Sequence, residues 1–300
     1  MVDDAARPRG CERIVTVGVK AMGRQVALAV SDQWGRRTAA RRVLPDLLIV
    51  GGQRCGTTTL FKSLQRHRAF LGPTLRKGVH YFDLEPDRSI DWYRAHFPTQ
   101  EGVDRRRQTL GGRVVVGESS PYYLWHPLAA DRIAAALPDV QVIALLRDPV
   151  ERAYSAHAHE LARGFETEPF ERALELEESR LRGESELLRS RKRARSFPHQ
   201  HLAYIQRGEY IDQLERMEHA VGRDQMLVLD SADFWAAPEE SWPLVTSFLS
   251  LPDLQVVLKR HNARPRAPMS EALRTRLSDH FLPYDQRLAK WWGRDPSWRR

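Results

Sequence analysis

The sharpest change of pattern along the chain falls between residues 47 and 67. Leu47-Leu-Ile-Val50 is an unbroken apolar run. It gives way to Gly51-Gly-Gln-Arg-Cys-Gly56 and then to a stretch from Thr57 to His67 whose apolar residues recur at helical spacing. That order predicts a strand, a tight loop and a helix. The same alternation continues downstream. Strands are expected at 47–50, 79–82, 114–117, 140–146 and 226–229, and helices at 57–67, 127–136, 149–162, 170–195 and 211–220. The tail, 273–292, reads as helix, Pro-Tyr turn and helix, packed down by Trp291, Trp292 and Trp298. Apolar strands separated by helices predict an α/β fold, with a mainly parallel central sheet flanked by helices on both faces. In such sheets ligands sit beyond the strands' carboxyl ends. Ahead of this domain, 14–19 and 26–30 are strand-like with Gly23 between them, which predicts a small N-terminal β arm. Arg36, Arg37, Arg41 and Arg42 link that arm to Pro45, so the expected boundaries are 1–45 and 46–300.

Composition narrows the class. At 300 residues with 42% apolar and 29% charged positions, the chain can bury a sizeable core. No apolar run approaches the ~20 residues of a membrane span. Asp3, Asp4 and Glu12 stand where a signal peptide would need an apolar stretch. Two cysteines, Cys11 and Cys55, give no disulfide framework, and a cytoplasmic setting is expected. The net charge is +8, with nine Lys/Arg against four Asp/Glu in residues 1–42. A second basic run, Arg189 to Arg195, lacks interleaved aromatics, so a solvated face is expected there and nucleic acid is not the expected partner.

The candidate chemistry begins in the loop after the first strand. Glycines admit an anion close to the backbone, and the following helix N-terminus adds partial positive charge. Gly51 and Gly56 have the spacing of a nucleotide triphosphatase loop, but Thr57 stands where its lysine belongs and the cation is Arg54. A second segment, Val142 to Ser155, ends a strand at Arg147 and opens a helix with Asp148 as cap and Pro149 at its first position. Arg147 and Ser155 are placed to close on one anion. The plain alternative for Arg147 is a salt bridge to a neighbour. His157 and His159 are two apart on a helix and face away from each other, so no metal site is expected. Cys55 reads as a small loop residue rather than a nucleophile.

Taken together, Gly52-Gln-Arg-Cys-Gly-Thr-Thr-Thr-Leu60, Lys77-Gly-Val-His-Tyr-Phe-Asp83, Glu118-Ser-Ser-Pro-Tyr122, Leu146-Arg-Asp-Pro-Val-Glu-Arg-Ala-Tyr-Ser155 and Arg207-Gly-Glu-Tyr210 resemble the sulfotransferases that use 3′-phosphoadenosine 5′-phosphosulfate. The resemblance spans about residues 46–292 and is nearest the heparan-sulfate-type and bacterial small-molecule branches. It implies a P-loop-like sulfotransferase fold and adenosine 3′,5′-bisphosphate as product. It also implies that Arg54, Cys55, Gly56, Thr57, Thr58 and Thr59 hold the 5′-phosphosulfate and that Arg147 and Ser155 take the 3′-phosphate. Tyr210 would lie near the nucleotide, and Arg264 and Arg266 would belong to a basic C-terminal loop that closes over donor phosphates or acceptor. Arg54 and Lys77 would stabilise charge on the leaving phosphate without a metal.

The acceptor side departs from the pattern. Heparan-type relatives place a glutamate after the lysine; here that residue is Gly78, and Ser119 stands where many have lysine. His80 is then the expected base, with Asp83 orienting it or touching acceptor and Glu118 in reserve. A strand at 79–82 would put 78 and 80 on one face. Residues 170–200 are the expected acceptor lid, over a small-molecule or glycosylated hydroxyl acceptor that the residues do not identify. Two other classes stay open. A metal-dependent P-loop kinase or triphosphatase would use Asp230 for magnesium, though Asp230 also reads as a helix cap. The other is a non-catalytic nucleotide- or polyanion-binding module, which Gly78 favours.

Overall fold

The computed structural model describes residues 33–191, 194–252 and 269–300. The two strands expected in the β arm, and Arg264 and Arg266, lie outside the described residues. Five strands form one sheet: β1 (Leu47–Gly51), β2 (Phe70–Leu71), β3 (Val115–Ser119), β4 (Gln141–Leu146) and β5 (Met226–Asp230). All pairings are parallel and the order is β2-β3-β1-β4-β5. Every residue of β1 is buried, as a strand covered on both faces requires. The chain builds β2 and β3 on one side of β1 and crosses to β4 and β5 on the other. The switch point therefore falls beside β1, and it is at the carboxyl ends beside such a point that open parallel sheets bind ligands.

Helices cover the sheet. α1 (Thr57–Leu64) follows the glycine loop. The short α2 (Tyr81–Leu84) and α3 (Ile90–Arg94) lie beyond it, followed by α4 (Gln100–Leu110). After β3 come α5 (Tyr122–Trp125) and α6 (Ala129–Ala136), and after β4 comes α7 (Pro149–Leu161). Then follow α8 (Phe170–Leu181), α9 (Glu184–Ser190), α10 (Phe197–His201) and α11 (Tyr210–Val221). After β5 the described helices are α12 (Ser231–Ala236), α13 (Pro238–Phe248) and α14 (Glu271–Trp292). Among the described residues no helix is long and apolar enough to cross a membrane.

Four of the five expected strands are present, with ends moved by a residue or two. The strand expected at 79–82 is not. Val79 is loop, His80 has a left-handed backbone (φ 57°) and Tyr81 begins α2. The place beside β3 belongs to β2 instead. The N–H groups of Val79 and His80 bond to side chains, Glu118 Oε2 at 2.6 Å and Ser120 Oγ at 3.1 Å. The long helix expected over 170–195 is broken at Gly183, which takes φ 78° and caps α9.

The tail shows the opposite departure, because α14 runs unbroken through Pro283. An interior proline costs a helix about 3 kcal/mol. Leu273, Leu277, Phe281, Asp285 and Leu288 form one buried stripe spanning that position, and its packing outweighs the lost bond. Trp291, Trp292 and Trp298 pack against the main core as expected. The basic link lies on the domain: Arg42 donates to Thr38 Oγ1 at 2.7 Å and to the Phe97 carbonyl.

Candidate active site

The loop after β1 closes on itself before it can hold anything. Gly56 caps α1 in a left-handed conformation (φ 96°), and a Cβ there would stand 3.0 Å from Trp235 Nε1. The Cys55 N–H donates to the Gly52 carbonyl at 3.1 Å, and the Thr59 N–H to the Gly56 carbonyl at 2.9 Å. The amides of Gly56, Thr57 and Thr58 precede that first helical bond and stand at the positive end of α1. Cys55 and Thr59 are thus corrected as donor contacts. Both side chains are buried and both N–H groups are taken up within the loop. Burial also pushes the Cys55 thiol up, away from thiolate chemistry.

A lysine does reach this helix end, from another segment. Lys77 Nζ lies 3.0 Å from Thr58 Oγ1 and 3.3 Å from Thr57 Oγ1. Burial lowers its pKa to about 8, with the charge of Glu118 opposing the shift. At neutral pH it is mostly an ammonium. Arg54 points the other way. It adopts φ 69° and its Nε donates to Ser155 Oγ at 3.2 Å, joining the loop after β1 to the helix after β4.

Arg147 stands at the end of β4 with Nη2 3.3 Å from Glu151 Oε2, and Glu151 Oε1 accepts from Arg274 Nη2 at 2.6 Å. The neighbour salt bridge and the shared sheet edge therefore coexist. Tyr210 stands between the Arg147 segment and the loop after β1. It is 1% exposed, its hydroxyl donates to the Arg147 carbonyl at 2.8 Å, and it sits 3.7 Å from Cys55 Sγ. It buttresses both segments from behind.

On the acceptor side, Gly78 is more than a missing carboxylate. A Cβ there would lie 2.3 Å from the Ser119 carbonyl oxygen and 2.6 Å from Ser120 Oγ. Glu118 is also corrected, both as reserve base and as acceptor contact. It is fully buried and accepts from Val79 N, Ser120 Oγ, Tyr93 Oη and Tyr123 Oη at 2.6–2.8 Å. Four donors saturate a carboxylate, so Glu118 organises the 77–81 loop rather than moving protons.

His80 is placed differently. Its side chain is 36% exposed, and Nδ1 donates to the buried Asp83 Oδ2 at 2.8 Å. That contact leaves Nε2 as the basic nitrogen. Burial lowers its pKa, but the charge and hydrogen bond of Asp83, with Glu118 behind, raise it overall. Asp83 orients the ring. At 1% exposure it does not reach an acceptor. Arg195, at the end of the basic run, donates to Glu85 Oε1 at 2.6 Å and to the Leu84 carbonyl, tying the expected lid to this segment.

Sequence reasoning missed a second ring of groups. Gln53 is held by Arg207 and Glu160, although Arg207 stood inside a quoted motif. Asp230 is a cap: it accepts from Ala232 N and Ser297 N, both at 2.8 Å, and is 2% exposed. That use sets aside its magnesium role. His157 Nε2 donates to the Glu168 carbonyl at 2.8 Å.

Comparison with known proteins places the chain among sulfotransferases. A bacterial sulfotransferase structure from Alicyclobacillus acidocaldarius matches with a TM-score of 0.65 and 29% identity, covering 86% of this chain and 100% of that one. The chain is 32% identical over 114 residues to the membrane-associated sulfotransferase kil1 of Dictyostelium discoideum, 38% of this chain and 22% of that protein. It is 34% identical over 126 residues to mouse heparan sulfate glucosamine 3-O-sulfotransferase 6, 41% of this chain and 32% of that protein. It therefore spans between a fifth and a third of these curated relatives' length. The sulfotransferase domain model matches residues 44–264, from just ahead of β1, through the loop, the His80 segment and the Arg147–Ser155 helix. On that match and on the structural likeness, the chain belongs to the sulfotransferase domain family.

Proposed function

We propose that this protein is an enzyme that transfers a sulfuryl group from 3′-phosphoadenosine 5′-phosphosulfate to a hydroxyl of a small-molecule or glycosylated acceptor, in line and in a cytoplasmic setting. One observation carries the reading: Arg54 Nε meets Ser155 Oγ at 3.2 Å, so two anion-binding segments share one sheet edge. The donor set fits a ligand with two separate phosphate groups. Arg54, Lys77 and Arg147 supply cations, Thr57, Thr58 and Ser155 supply hydroxyls, and α1 supplies its N-terminal amides.

The donor supplies an activated sulfuryl group on a phosphate leaving group. The Lys77 ammonium and the amides of Gly56 to Thr58 stabilise charge on that phosphate, while Arg147 and Ser155 hold the 3′-phosphate. His80 Nε2 takes the acceptor hydroxyl proton, and Asp83 fixes the tautomer and stabilises the imidazolium that results.

Thermal shift with adenosine 3′,5′-bisphosphate, AMP and Mg-ATP, each with and without EDTA, tests the reading. Stabilisation by the bisphosphate alone, indifferent to EDTA, is expected, and Arg147→Ala should erase the preference over AMP. Stabilisation by Mg-ATP and not by the bisphosphate would overturn it in favour of a metal-dependent kinase. Binding of the bisphosphate without turnover on any hydroxyl acceptor would leave a nucleotide-binding module.

A further inference from the structure

Gln53, between Gly52 and Arg54, is gripped at both ends of its side-chain amide. Arg207 Nη1 donates to Gln53 Oε1 at 2.5 Å, and Gln53 Nε2 donates to Glu160 Oε1 at 3.4 Å. The grip is polar in sense: a buried cation holds the oxygen and a buried anion holds the nitrogen, so the amide cannot turn over. The surroundings are held as well. Arg207 Nη1 also donates to the Gln200 carbonyl at 3.0 Å, and its guanidinium lies 5.0 Å from the Tyr122 ring centre. Glu160 Oε2 is 3.2 Å from both Arg163 Nη1 and His201 Nδ1. Gln200 and His201 belong to α10, at the end of the expected lid.

The neighbouring residue explains why such a grip is needed. Arg54 takes a left-handed backbone (φ 69°), which a residue with a side chain disfavours and which persists only where the surroundings enforce it. Cys55, on its far side, is fixed by burial under Tyr210. Gln53 is the other anchor. We propose that Arg207 and Glu160 are positioning residues that act through the Gln53 amide to hold Arg54 on Ser155, and so tie the donor loop to α10. This inference rests on the proposed donor.

A double-mutant cycle tests it, with Gln53→Leu, Arg207→Lys and the pair, reading the Kd for adenosine 3′,5′-bisphosphate by calorimetry and the melting temperature. Each single variant should weaken binding about tenfold, the weight of one charge-assisted hydrogen bond. The double variant should be no more than about twofold worse than the weaker single, because both changes break one chain of contacts. Losses that multiply, or singles that bind as wild type does, overturn the proposal. Should Arg207→Lys fail to fold, Glu160→Gln replaces it in the cycle with the same expectation. Wild-type protein that does not bind the bisphosphate refutes the donor reading instead, so the two failures are distinguishable.

Discussion

Lys77 Nζ lies 3.0 Å from Thr58 Oγ1, so an ammonium from a distant loop occupies the helix end where a nucleotide triphosphatase keeps its own lysine. Burial pulls its pKa down to about 8 from 10.5, so the folded state binds this proton less tightly than the unfolded chain does. The stability that this shift supplies is present above the unfolded value of 10.5 and is lost as pH falls through about 8. At neutral pH the charged lysine therefore works against folding. Lys77→Met should raise the melting temperature at pH 7, by a stability gain on the order of 2 kcal/mol that fades above pH ~10. The same variant should lose about 10²–10³ in turnover. Melting curves across pH, set beside kcat, check both halves; a less stable, fully active variant would contradict them.

His80 should set the acid limb of the pH profile. Asp83 raises the imidazole pKa, so the base is protonated and idle up to a higher pH than a free histidine would be. Asp83→Asn should shift that limb of kcat/KM to lower pH and lower its plateau. His80→Asn should keep bisphosphate affinity within about twofold while losing roughly 10²–10⁴ in turnover. Unchanged turnover in His80→Asn would place the base elsewhere.

Gly78→Glu should not recover the carboxylate that heparan-type relatives carry. Its Cβ would lie 2.3 Å from the Ser119 carbonyl oxygen, so the 77–80 loop would have to move. Destabilisation of about 1–3 kcal/mol is expected from the clash, with turnover falling. Urea denaturation together with a turnover assay decides the point, and a rise in turnover would show that the loop has room to spare.

Glu118→Gln should act on the fold before it acts on chemistry. An amide oxygen keeps some of the four donors, but its NH2 group then faces hydroxyl or N–H donors of Val79, Ser120, Tyr93 and Tyr123. A loss of about 2–4 kcal/mol in urea unfolding is expected, from unsatisfied groups in a dry site. Under conditions where the variant is folded, the pH profile should keep its shape. A missing acid limb there would return Glu118 to the list of bases.

The amino-acid sequence by itself determined the α/β class, four of the five strands, the glycine loop and the Asp148-Pro149 start of α7. Those features rest on local periodicity, apolar runs and capping chemistry, which neighbouring residues dictate. Local pattern failed where distant groups decided the outcome. Val79 to Phe82 has strand composition, yet Glu118 and Ser120 capture its N–H groups and His80 turns left-handed. Pro283 reads as a break, yet a buried stripe carries α14 through it. Likewise, Tyr210, Cys55 and Glu118 were legible as parts of the site but not as its supports, because burial is a property of packing. The meetings of Lys77 with Thr58, Arg54 with Ser155 and Arg207 with Gln53 join residues 19, 101 and 154 positions apart. Only the order of strands about β1 brings them to one edge, and that order is set by the collective burial of the sheet rather than by any one segment.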